Sequence, residues 1–393
     1  MKIMSINAGS SSLKFSLFDM TNKTCIASGY FERVTLPNSF YTIKYNGEKI
    51  KEEVEMPNHT VAVEVLLDRL ISLNIISSLD EIDGIGHRLV HGADKYNKSV
   101  IITDEVVEDL KKYIPLAPLH NPANILGIEA VKKALPNVKM VGVFDTAFHQ
   151  TMEKVNYIYP VPYEWYTNYK VRKYGFHGTS HCYISKQIPR ILGKDNYKAI
   201  ICHLGSGGSL SLVENGKCLD TTMGFTPLAG IMMGTRSGDV DPSIIPYVME
   251  NTNESLEEVM NDLNKKSGFL GLSGEYSDFR DIYNGVKNGN EKCILAFNKY
   301  VNTVVKYIAE YYVEAGGVDI IVFTAGLGEN ASEAREAIVN KLNCLGIYLN
   351  NKANNVRGEE IKISSDESKV LLYVVPTNEE LMIAEDTLEL IGE

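Results

Sequence analysis

The chain of 393 residues lacks several features that define common protein classes. It contains neither a Walker A nor a GxGxxG pattern, which disfavours a P-loop NTPase and a Rossmann dehydrogenase. Its six cysteines are scattered without a CxxC pair, so we expect reduced thiols rather than a disulfide framework. No apolar run approaches the ~20 residues of a membrane span. The first residues also lack the apolar core of a signal peptide, and together these absences predict a cytoplasmic protein.

An excess of positive charge is also absent. Lysine and arginine number 39 against 50 aspartates and glutamates, and the net charge is −11. A broad surface for nucleic acid or anionic membrane needs a basic excess, so we expect neither partner. A local anion pocket stays compatible with this charge. The length predicts two or three domains of roughly 150 residues each.

A strand–loop–strand pattern opens the chain and recurs near its middle. Residues 3–19 place small polar residues between two apolar stretches of strand period. Residues 198–213 repeat this order around the loop 205–209. A loop of this kind can bind an anion through backbone N–H groups, although an ordinary hairpin has the same pattern. The recurrence favours a duplicated α/β fold with domains at 1–149 plus 381–393 and at 150–380.

Histidines and arginines concentrate in glycine-rich loops. Three clusters of this kind lie in residues 87–91, in residues 172–181, and in residues 223–227 together with 233–242. Arginines in such loops suit bidentate capture of phosphate or carboxylate, and glycine lets the backbone approach closely. Any single one of them is as well explained by a surface arginine or a buried structural histidine. Three such loops in one chain favour an anion site.

The sequence favours magnesium over zinc. His87 with His91 and His177 with His181 are spaced i, i+4, but neither pair forms an HExxH motif. Mg²⁺ needs only one or two carboxylates when phosphate oxygens complete its shell. The candidate acids are Asp145, Glu329, Glu379 and Glu380. The last two would also suit a helix N-terminus, which favours acidic residues.

Seven segments together resemble one family, the acetate kinases. They are residues 6–15, 86–92, 118–122, 144–149, 174–181, 233–239 and 323–330. The resemblance implies an α/β fold of two duplicated actin/Hsp70-like (ribonuclease H-like) domains. Each would hold a mixed β-sheet flanked by helices, with an active-site cleft between them. It also implies a homodimer that transfers the γ-phosphoryl group of ATP reversibly and directly to acetate, giving acetyl phosphate and ADP.

The resemblance also implies site residues. The metal, Mg²⁺ with Mn²⁺ as a substitute, would be held by Asn7 and Glu379. The implied catalytic residues are Arg88, His120, Asp145, His177 and Arg236. The apolar acetate pocket, next to Arg88, would comprise Val90, Leu119, Phe176 and Pro227. ATP or ADP would contact Ser10, Ser12, Lys14, His203, Leu204, Gly205, Ser206, Gly207, Asp278, Phe279, Arg280, Gly326, Leu327, Gly328, Glu329 and Asn330.

Three positions qualify this assignment. Ser206 stands where the family usually has Asn, and Ala229 where it commonly has Glu, so the choice of phosphoryl donor stays open. Asp145 is often cast as a base, but acetic acid is already ionised at pH 7. We therefore expect Asp145 to orient Arg88 or a metal-bound water.

Two other functions compete. One is a propionate or butyrate kinase, since a pocket distinguishes one methylene by only about 1–3 kcal/mol. The other is a non-catalytic nucleotide-binding module of the Hsp70/actin type, since fold does not fix function. Such a module would not need Arg88 and Arg236 for a carboxylate acceptor.

Overall fold

The computed structural model describes residues 1–118 and 120–392. Internal contacts divide the chain into two compact units. Unit 1 comprises residues 1–150 together with the chain from Asn378 onward, and unit 2 comprises Thr151–Thr377. This division differs from the predicted boundaries by one residue at the first crossing and by three at the second. That each unit is an independent domain stays a prediction.

Unit 1 contains an eight-stranded mixed sheet with the order β5-β4-β3-β2-β1-β6-β8-β7. Its strands are β1 (Lys2–Gly9), β2 (Ser12–Asp19), β3 (Thr24–Glu32), β4 (Phe40–Tyr45), β5 (Glu48–Glu53), β6 (Ile82–Leu89), β7 (Val100–Ile101) and β8 (Lys139–Phe144). Strands β1 to β5 form an antiparallel meander, whereas β1, β6 and β8 run parallel. The predicted opening hairpin is confirmed, with Asn7 opposite Lys14.

Helices cover both faces of this sheet. Those of unit 1 are α1 (His59–Ser72), α2 (Asp104–Lys112), α3 (Asn121–Ala134) and the C-terminal α15 (Glu379–Gly392). Alternate residues of β1 face opposite ways, as the strand period requires. Met4 and Ile6 pack in the core beneath α1 and α3, whereas Ile3 packs with Ile383 of α15. The second face therefore carries the odd-numbered residues of β1, including Asn7.

Unit 2 contains a six-stranded mixed sheet with the order β11-β10-β9-β12-β14-β13. Its strands are β9 (Lys198–Leu204), β10 (Gly208–Glu214), β11 (Lys217–Thr221), β12 (Ile320–Thr324), β13 (Ile361–Lys362) and β14 (Leu371–Val374). Its helices are α4 (Lys154–Tyr157), α5 (Glu164–Tyr169), α6 (Gly178–Leu192), α7 (Ile244–Thr252), α8 (Leu256–Lys265), α9 (Gly268–Ser273), α10 (Phe279–Lys287), α11 (Glu291–Glu314), α12 (Ala325–Asn330), α13 (Ser332–Asn340) and α14 (Asn351–Asn354). Short 3₁₀ turns lie at Leu79–Glu81, Ile114–Leu116, Ala147–Thr151 and Asn343–Leu345.

The two sheets share one topology. In each, three antiparallel strands (β3-β2-β1 or β11-β10-β9) are followed by two parallel ones (β6-β8 or β12-β14). Each sheet then ends in a short antiparallel edge strand, β7 or β13, which precedes its neighbour in the chain. The predicted duplicated α/β architecture is therefore confirmed, and β4 and β5 are additions to the first copy.

Among the described residues, no helix combines the length and the apolar character that crossing a bilayer requires.

Candidate active site

The first group of predicted site residues lies where β1, β6 and β8 of unit 1 end and α15 begins. A Cβ atom on Gly86 would come 2.3 Å from Thr387 Oγ1 and 2.4 Å from Ile383 Cγ2 of α15. A Cβ atom on Gly84 would come 2.6 Å from Ile391 Cδ1. Glycine at both positions therefore lets α15 lie close against β6. This packing puts the N-terminal turn of α15, with Glu379 and Glu380, beside Arg88.

Arg88 is held by the aspartate that follows β8. Arg88 Nη2 donates to Asp145 Oδ2 at 2.5 Å, and Arg88 Nε donates to Asp145 Oδ1 at 3.1 Å. This bidentate geometry is the strong arrangement for an arginine and a carboxylate. The third nitrogen, Arg88 Nη1, donates to Asn7 Oδ1 at 3.4 Å. Asn7, Arg88, Asp145 and Glu379 form what we call the unit 1 cluster.

The unit 1 cluster contains one guanidinium, on Arg88, and two carboxylates, on Asp145 and Glu379. Burial alone would lower the pKa of Arg88, but the carboxylates of Asp145 and Glu379 raise it overall. Burial raises the pKa of Glu379 to about 7, and the negative charge of Asp145 adds to this shift while Arg88 opposes it. A carboxylate that is costly to ionise alone gains from a bound cation.

The donor set suits a hard cation whose shell is completed by substrate. Within residues 1–118 and 120–392, no three His, Cys, Asp or Glu side chains converge as metal ligands. Glu379 offers a half-buried carboxylate and Asn7 a neutral amide oxygen, both of the hard oxygen type that Mg²⁺ prefers. Two protein oxygens fit an ion that takes its other ligands from phosphate and water.

Other predicted residues of unit 1 have different surroundings. Lys14 forms an ion pair with Glu380, whose carboxylate raises the pKa of Lys14 although burial alone would lower it. Ser10 is exposed, and Ser12 is also exposed, at the turn between β1 and β2. Val90 is buried directly after β6. His120 is exposed immediately before α3, and the predicted Leu119 lies outside the described residues.

The second group surrounds the loop between β9 and β10 in unit 2. His177 directly precedes α6 in the left-handed region, with φ 59°. For a residue with a side chain this conformation costs energy and occurs often at functional sites. His177 Nδ1 is 2.9 Å from the hydroxyl of Ser209 on β10, which fixes the ring. The imidazole of His203 stacks on it with ring centroids 4.2 Å apart.

Gly207 is the point where His177 and Arg236 converge. A Cβ atom there would lie 3.2 Å from Arg236 Nη2 and 3.5 Å from His177 Nε2. The other terminal nitrogen, Arg236 Nη1, donates to the carbonyl of Pro227 at 2.9 Å. Burial lowers the pKa of Arg236, whose charge is only partly hydrated. We call His177, Gly207 and Arg236 the unit 2 cluster.

A cavity of about 590 Å³ in unit 2 collects eight of the predicted nucleotide residues. These eight are Gly205, Ser206, Asp278, Phe279, Arg280, Gly326, Leu327 and Asn330. Arg280 pairs with Asp278 through Nη2 at 2.8 Å and Nε at 3.0 Å, and both residues are solvent-accessible. A cavity of this size with aromatic, glycine and charged lining is suited to a ligand as large as a nucleotide.

Other predicted nucleotide residues do not line this cavity. Leu204 and Gly328 are buried. His203 is buried as well, with Nδ1 2.7 Å from the hydroxyl of Ser180. The Glu329 carboxylate accepts hydrogen bonds from the N–H groups of Ala325, at 2.8 Å, and Thr377, at 3.0 Å. Glu329 therefore ties the loop after β12 to the chain after β14.

Sequence reasoning missed several residues of the site in unit 2. The cavity is also lined by Gly234, Phe269, Ser277, Tyr283, Asn284, Lys287, Ala331, Glu333 and Arg357. Tyr283, Asn284 and Lys287 follow the predicted Asp278–Arg280 on α10, so the period of a helix could have indicated them. Arg357 and Phe269 lie far away in sequence, and no local pattern indicates them. Ser209 was missed as the hydrogen-bond partner of His177. Phe176, which was predicted for the acetate pocket, directly precedes His177 in the chain and is buried.

Comparison with known proteins finds similarity over nearly the whole chain. The model of the acetokinase family matches residues 2–385. The chain is 52% identical to the acetate kinase of Bacillus subtilis (strain 168) over 391 residues, which cover 99% of each chain. Its structure resembles the crystal structure of Porphyromonas gingivalis acetate kinase with a TM-score of 0.95, 46% identity and complete coverage of both chains. It also resembles a propionate kinase from Francisella tularensis, with a TM-score of 0.94, 40% identity and 99% coverage of each chain.

Proposed function

The chain belongs to the acetokinase family, and we propose that it transfers the γ-phosphoryl group of ATP reversibly to acetate. In the forward direction a carboxylate oxygen of acetate forms a bond to the γ-phosphorus. The bond from that phosphorus to the β–γ bridging oxygen breaks, and ADP and acetyl phosphate leave. The single observation that carries this proposal is the convergence of His177 and Arg236 on Gly207. Donors fixed around a phosphate-binding loop stabilise charge on a transferring phosphoryl group.

We assign the residues of the two units different tasks. The cavity in unit 2 suits the nucleotide, while Arg236 and His177 would bind oxygens of the transferring group. Arg88 suits the acetate carboxylate, since it is presented rigidly by Asp145. Val90, Phe176 and Pro227, with Leu119, are the proposed contacts of the methyl group, and His120 is a proposed neighbour of the reacting groups. When bound, Mg²⁺ would neutralise phosphate charge, with Asn7 and Glu379 as its protein ligands.

The direct test is an acyl-phosphate trapping assay with hydroxylamine and Mg²⁺-ATP. We expect acetohydroxamate from acetate, with a lower kcat/KM for propionate and butyrate. A higher kcat/KM for propionate would identify a propionate kinase, which the similarity to the Francisella protein keeps as the second candidate. Absence of product with all three acids would instead support a non-catalytic module.

The phosphoryl donor is tested in the same assay. Ser206 lines the cavity, and its carbonyl accepts a hydrogen bond from Gly234 N–H at 3.0 Å. We propose ATP as the donor because the cavity can hold a base and ribose beside the phosphates. Equal kcat/KM for ATP and GTP would show that the base is not read, and higher activity with pyrophosphate would contradict a nucleotide donor.

Replacing Asp145 by asparagine is expected to raise the KM for acetate about tenfold. Charged hydrogen bonds contribute roughly 1.5–3 kcal/mol each, and the variant loses the charge that fixes Arg88. The half-saturating Mg²⁺ concentration should stay within twofold, because the Asp145 carboxylate is occupied by Arg88. Initial rates against acetate and against Mg²⁺ separate the two effects.

A matched control is Asp109→Asn in the same unit. Asp109, on α2, is also a buried carboxylate, and it accepts hydrogen bonds from Lys95, Lys112 and Tyr96. Its replacement should leave the KM for acetate unchanged. If Asp145→Asn changes the Mg²⁺ requirement and not the KM for acetate, Asp145 orients a metal-bound water and not Arg88.

A homodimer is the assembly we propose, through the aromatic segment at residues 155–169 of unit 2. Val155 is 79% exposed, Tyr169 67%, Tyr163 53% and Trp165 46%. Large apolar side chains exposed together favour an interface with another protein surface. We expect Trp165→Glu/Tyr169→Glu to convert a dimer into monomers at micromolar concentration, because burying two carboxylates at an interface is costly.

Sedimentation equilibrium measures the outcome. Leu295→Glu is the control, since Leu295 is 57% exposed on α11, outside this segment, and should leave the assembly unchanged. A wild-type monomer would contradict the dimer itself, whereas a dimeric double variant would contradict only the proposed interface.

A cytoplasmic location is proposed on separate grounds, because Cys25, Cys202, Cys293 and Cys344 are free thiols.

A further inference from the structure

One buried hydroxyl contacts two histidine rings in unit 2. Ser209 Oγ lies 2.9 Å from His177 Nδ1 and 2.8 Å from His181 Nε2. Ser209 and His181 are completely buried. The two histidines are one turn apart at the start of α6, so both rings lie against β10. His181 has no task in the proposed reaction, yet it is connected to His177 through this hydroxyl.

Counting protons restricts the directions of these two hydrogen bonds. A serine hydroxyl has one proton to donate and can accept from others. In the part of the chain that the structure describes, Ser209 Oγ has hydrogen bonds to these two rings only. If both rings donated to it, its own proton would be a buried donor without an acceptor, which is unfavourable. One ring therefore donates to Ser209, and Ser209 donates to the other.

The neighbouring arginine decides between the two directions. Arg236 Nη2 and His177 Nε2 both approach Gly207, and a second positive charge beside a half-buried guanidinium is unfavourable. His177 is therefore expected to be neutral and to carry one ring proton. To bind a phosphoryl oxygen that proton must be on Nε2, so Nδ1 must accept from Ser209.

We infer that Ser209 and His181 are positioning residues that hold neutral His177 in the Nε2–H tautomer, an inference that rests on the proposed function of His177. The sequence of donors is His181 Nε2–H to Ser209 Oγ, Ser209 Oγ–H to His177 Nδ1, and His177 Nε2–H to the transferring phosphoryl group. Ser209 and His181 then contribute to the reaction through His177, by fixing which of its ring nitrogens carries the proton.

The structure also supplies a matched control. Ser180 is another completely buried serine bonded to a histidine, with its Oγ 2.7 Å from His203 Nδ1 and 2.8 Å from Thr377 Oγ1. His203 stacks on His177 but is oriented by this separate pair of hydroxyls. Ser180→Ala removes a serine–histidine hydrogen bond of the same kind without touching the bonds of Ser209.

The test is long-range ¹H–¹⁵N NMR of the full-length enzyme labelled with ¹⁵N-histidine, in which protonated and unprotonated ring nitrogens have different shifts. The signals of His177 are assigned by their loss in His177→Asn. We expect an unprotonated Nδ1 and a protonated Nε2 in the wild type. Ser209→Ala should populate the other tautomer and lower kcat about 10- to 100-fold, by analogy with the loss seen when a hydrogen-bond partner of a metal-ligating histidine is removed. Both KM values should stay within twofold, and Ser180→Ala should leave the tautomer unchanged.

A protonated Nδ1 on His177 in the wild type overturns the inference, as does a Ser209→Ala enzyme with unchanged tautomer and kcat. The wild-type spectrum decides even if Ser209→Ala does not fold. His181→Leu against His181→Gln then gives the kinetic comparison, since only the amide can donate to Ser209, and equal kcat values would also overturn the inference. A failure of the proposed function gives a different result. If His177 does not act on the phosphoryl group, His177→Asn keeps the wild-type kcat, whichever ring nitrogen of His177 carries the proton in the wild type.

Discussion

The variant His177→Asn should have a kcat about 10²–10³ lower than the wild type, the range for removing one fixed donor to a charge that develops in the transition state. Its KM values for ATP and acetate should change less than threefold, because the lost contact forms with the transferring phosphoryl group. Asparagine is the informative replacement, since it tolerates the left-handed φ of 59° better than alanine does. A loss of rate can then be attributed to the imidazole and not to the backbone.

Steady-state kinetics in both directions measure this effect, with circular dichroism to verify folding. Lys170→Asn is the control, because Lys170 is also left-handed, with φ 58°, at the end of α5. It should keep the wild-type kcat. A His177→Asn enzyme whose kcat falls less than threefold would remove His177 from the proposed mechanism. If only the KM for ATP rises, His177 contacts the bound nucleotide and not the transferring phosphoryl group.

The duplicated fold could be predicted because its evidence is local. Strand period and small loop residues indicate both hairpins, at β1–β2 and β9–β10, and the structure confirms both. The eight predicted residues that line the cavity in unit 2 are those that the resemblance to the acetate kinases implied, and they come from three short segments, 205–206, 278–280 and 326–330. Such motifs do not indicate the hydrogen-bond partner of each side chain. Ser209 lies in β10, whereas His177 and His181 lie at the start of α6. Only the packing of α6 on the sheet brings the two histidine rings to the hydroxyl of Ser209.

Glu329 shows the opposite limit. The resemblance implies a nucleotide contact for Glu329, whereas its carboxylate accepts hydrogen bonds from the backbone N–H groups of Ala325 and Thr377. Ala325 is left-handed, with φ 65°, so this carboxylate supports a strained turn. A motif therefore identifies a functional loop, but not whether each of its residues contacts the ligand or supports the loop. Side-chain burial and hydrogen-bond partners make that distinction.

Arg335 is the residue whose importance sequence alone does not indicate. An arginine on a helix is usually exposed, yet Arg335 on α13 is completely buried. Its Nε donates to Asn354 Oδ1 at 2.8 Å, and its Nη1 donates to the carbonyl of Gly328 at 2.8 Å. Its Nη2 donates to the carbonyls of Asn354, at 2.7 Å, and Val356, at 3.0 Å. Burial lowers the pKa of Arg335 to about 10, so it stays charged at neutral pH.

Arg335→Met should therefore lower the free energy of unfolding by about 3–5 kcal/mol, because buried carbonyls that lose a charged donor cost roughly 1–3 kcal/mol each and such losses do not simply add. Urea denaturation of both proteins measures the difference. The control is Arg190→Met, since Arg190 is exposed and pairs with Glu360 at 2.6 Å, an arrangement that contributes about 0–1 kcal/mol. A loss below 1 kcal/mol for Arg335→Met would show that water replaces the guanidinium.

The same variant separates stability from binding. Arg335 holds the carbonyl of Gly328, and the neighbouring Gly326 and Leu327 line the cavity in unit 2 that we propose for the nucleotide. We expect the KM for ATP to rise at temperatures where the variant is still folded, because this loop loses its anchor before unit 2 unfolds. The KM for acetate should stay within twofold, because the proposed acetate contact Arg88 is fixed in unit 1 by Asp145. Parallel changes in both KM values would show that Arg335 acts on the whole protein and not on the nucleotide loop.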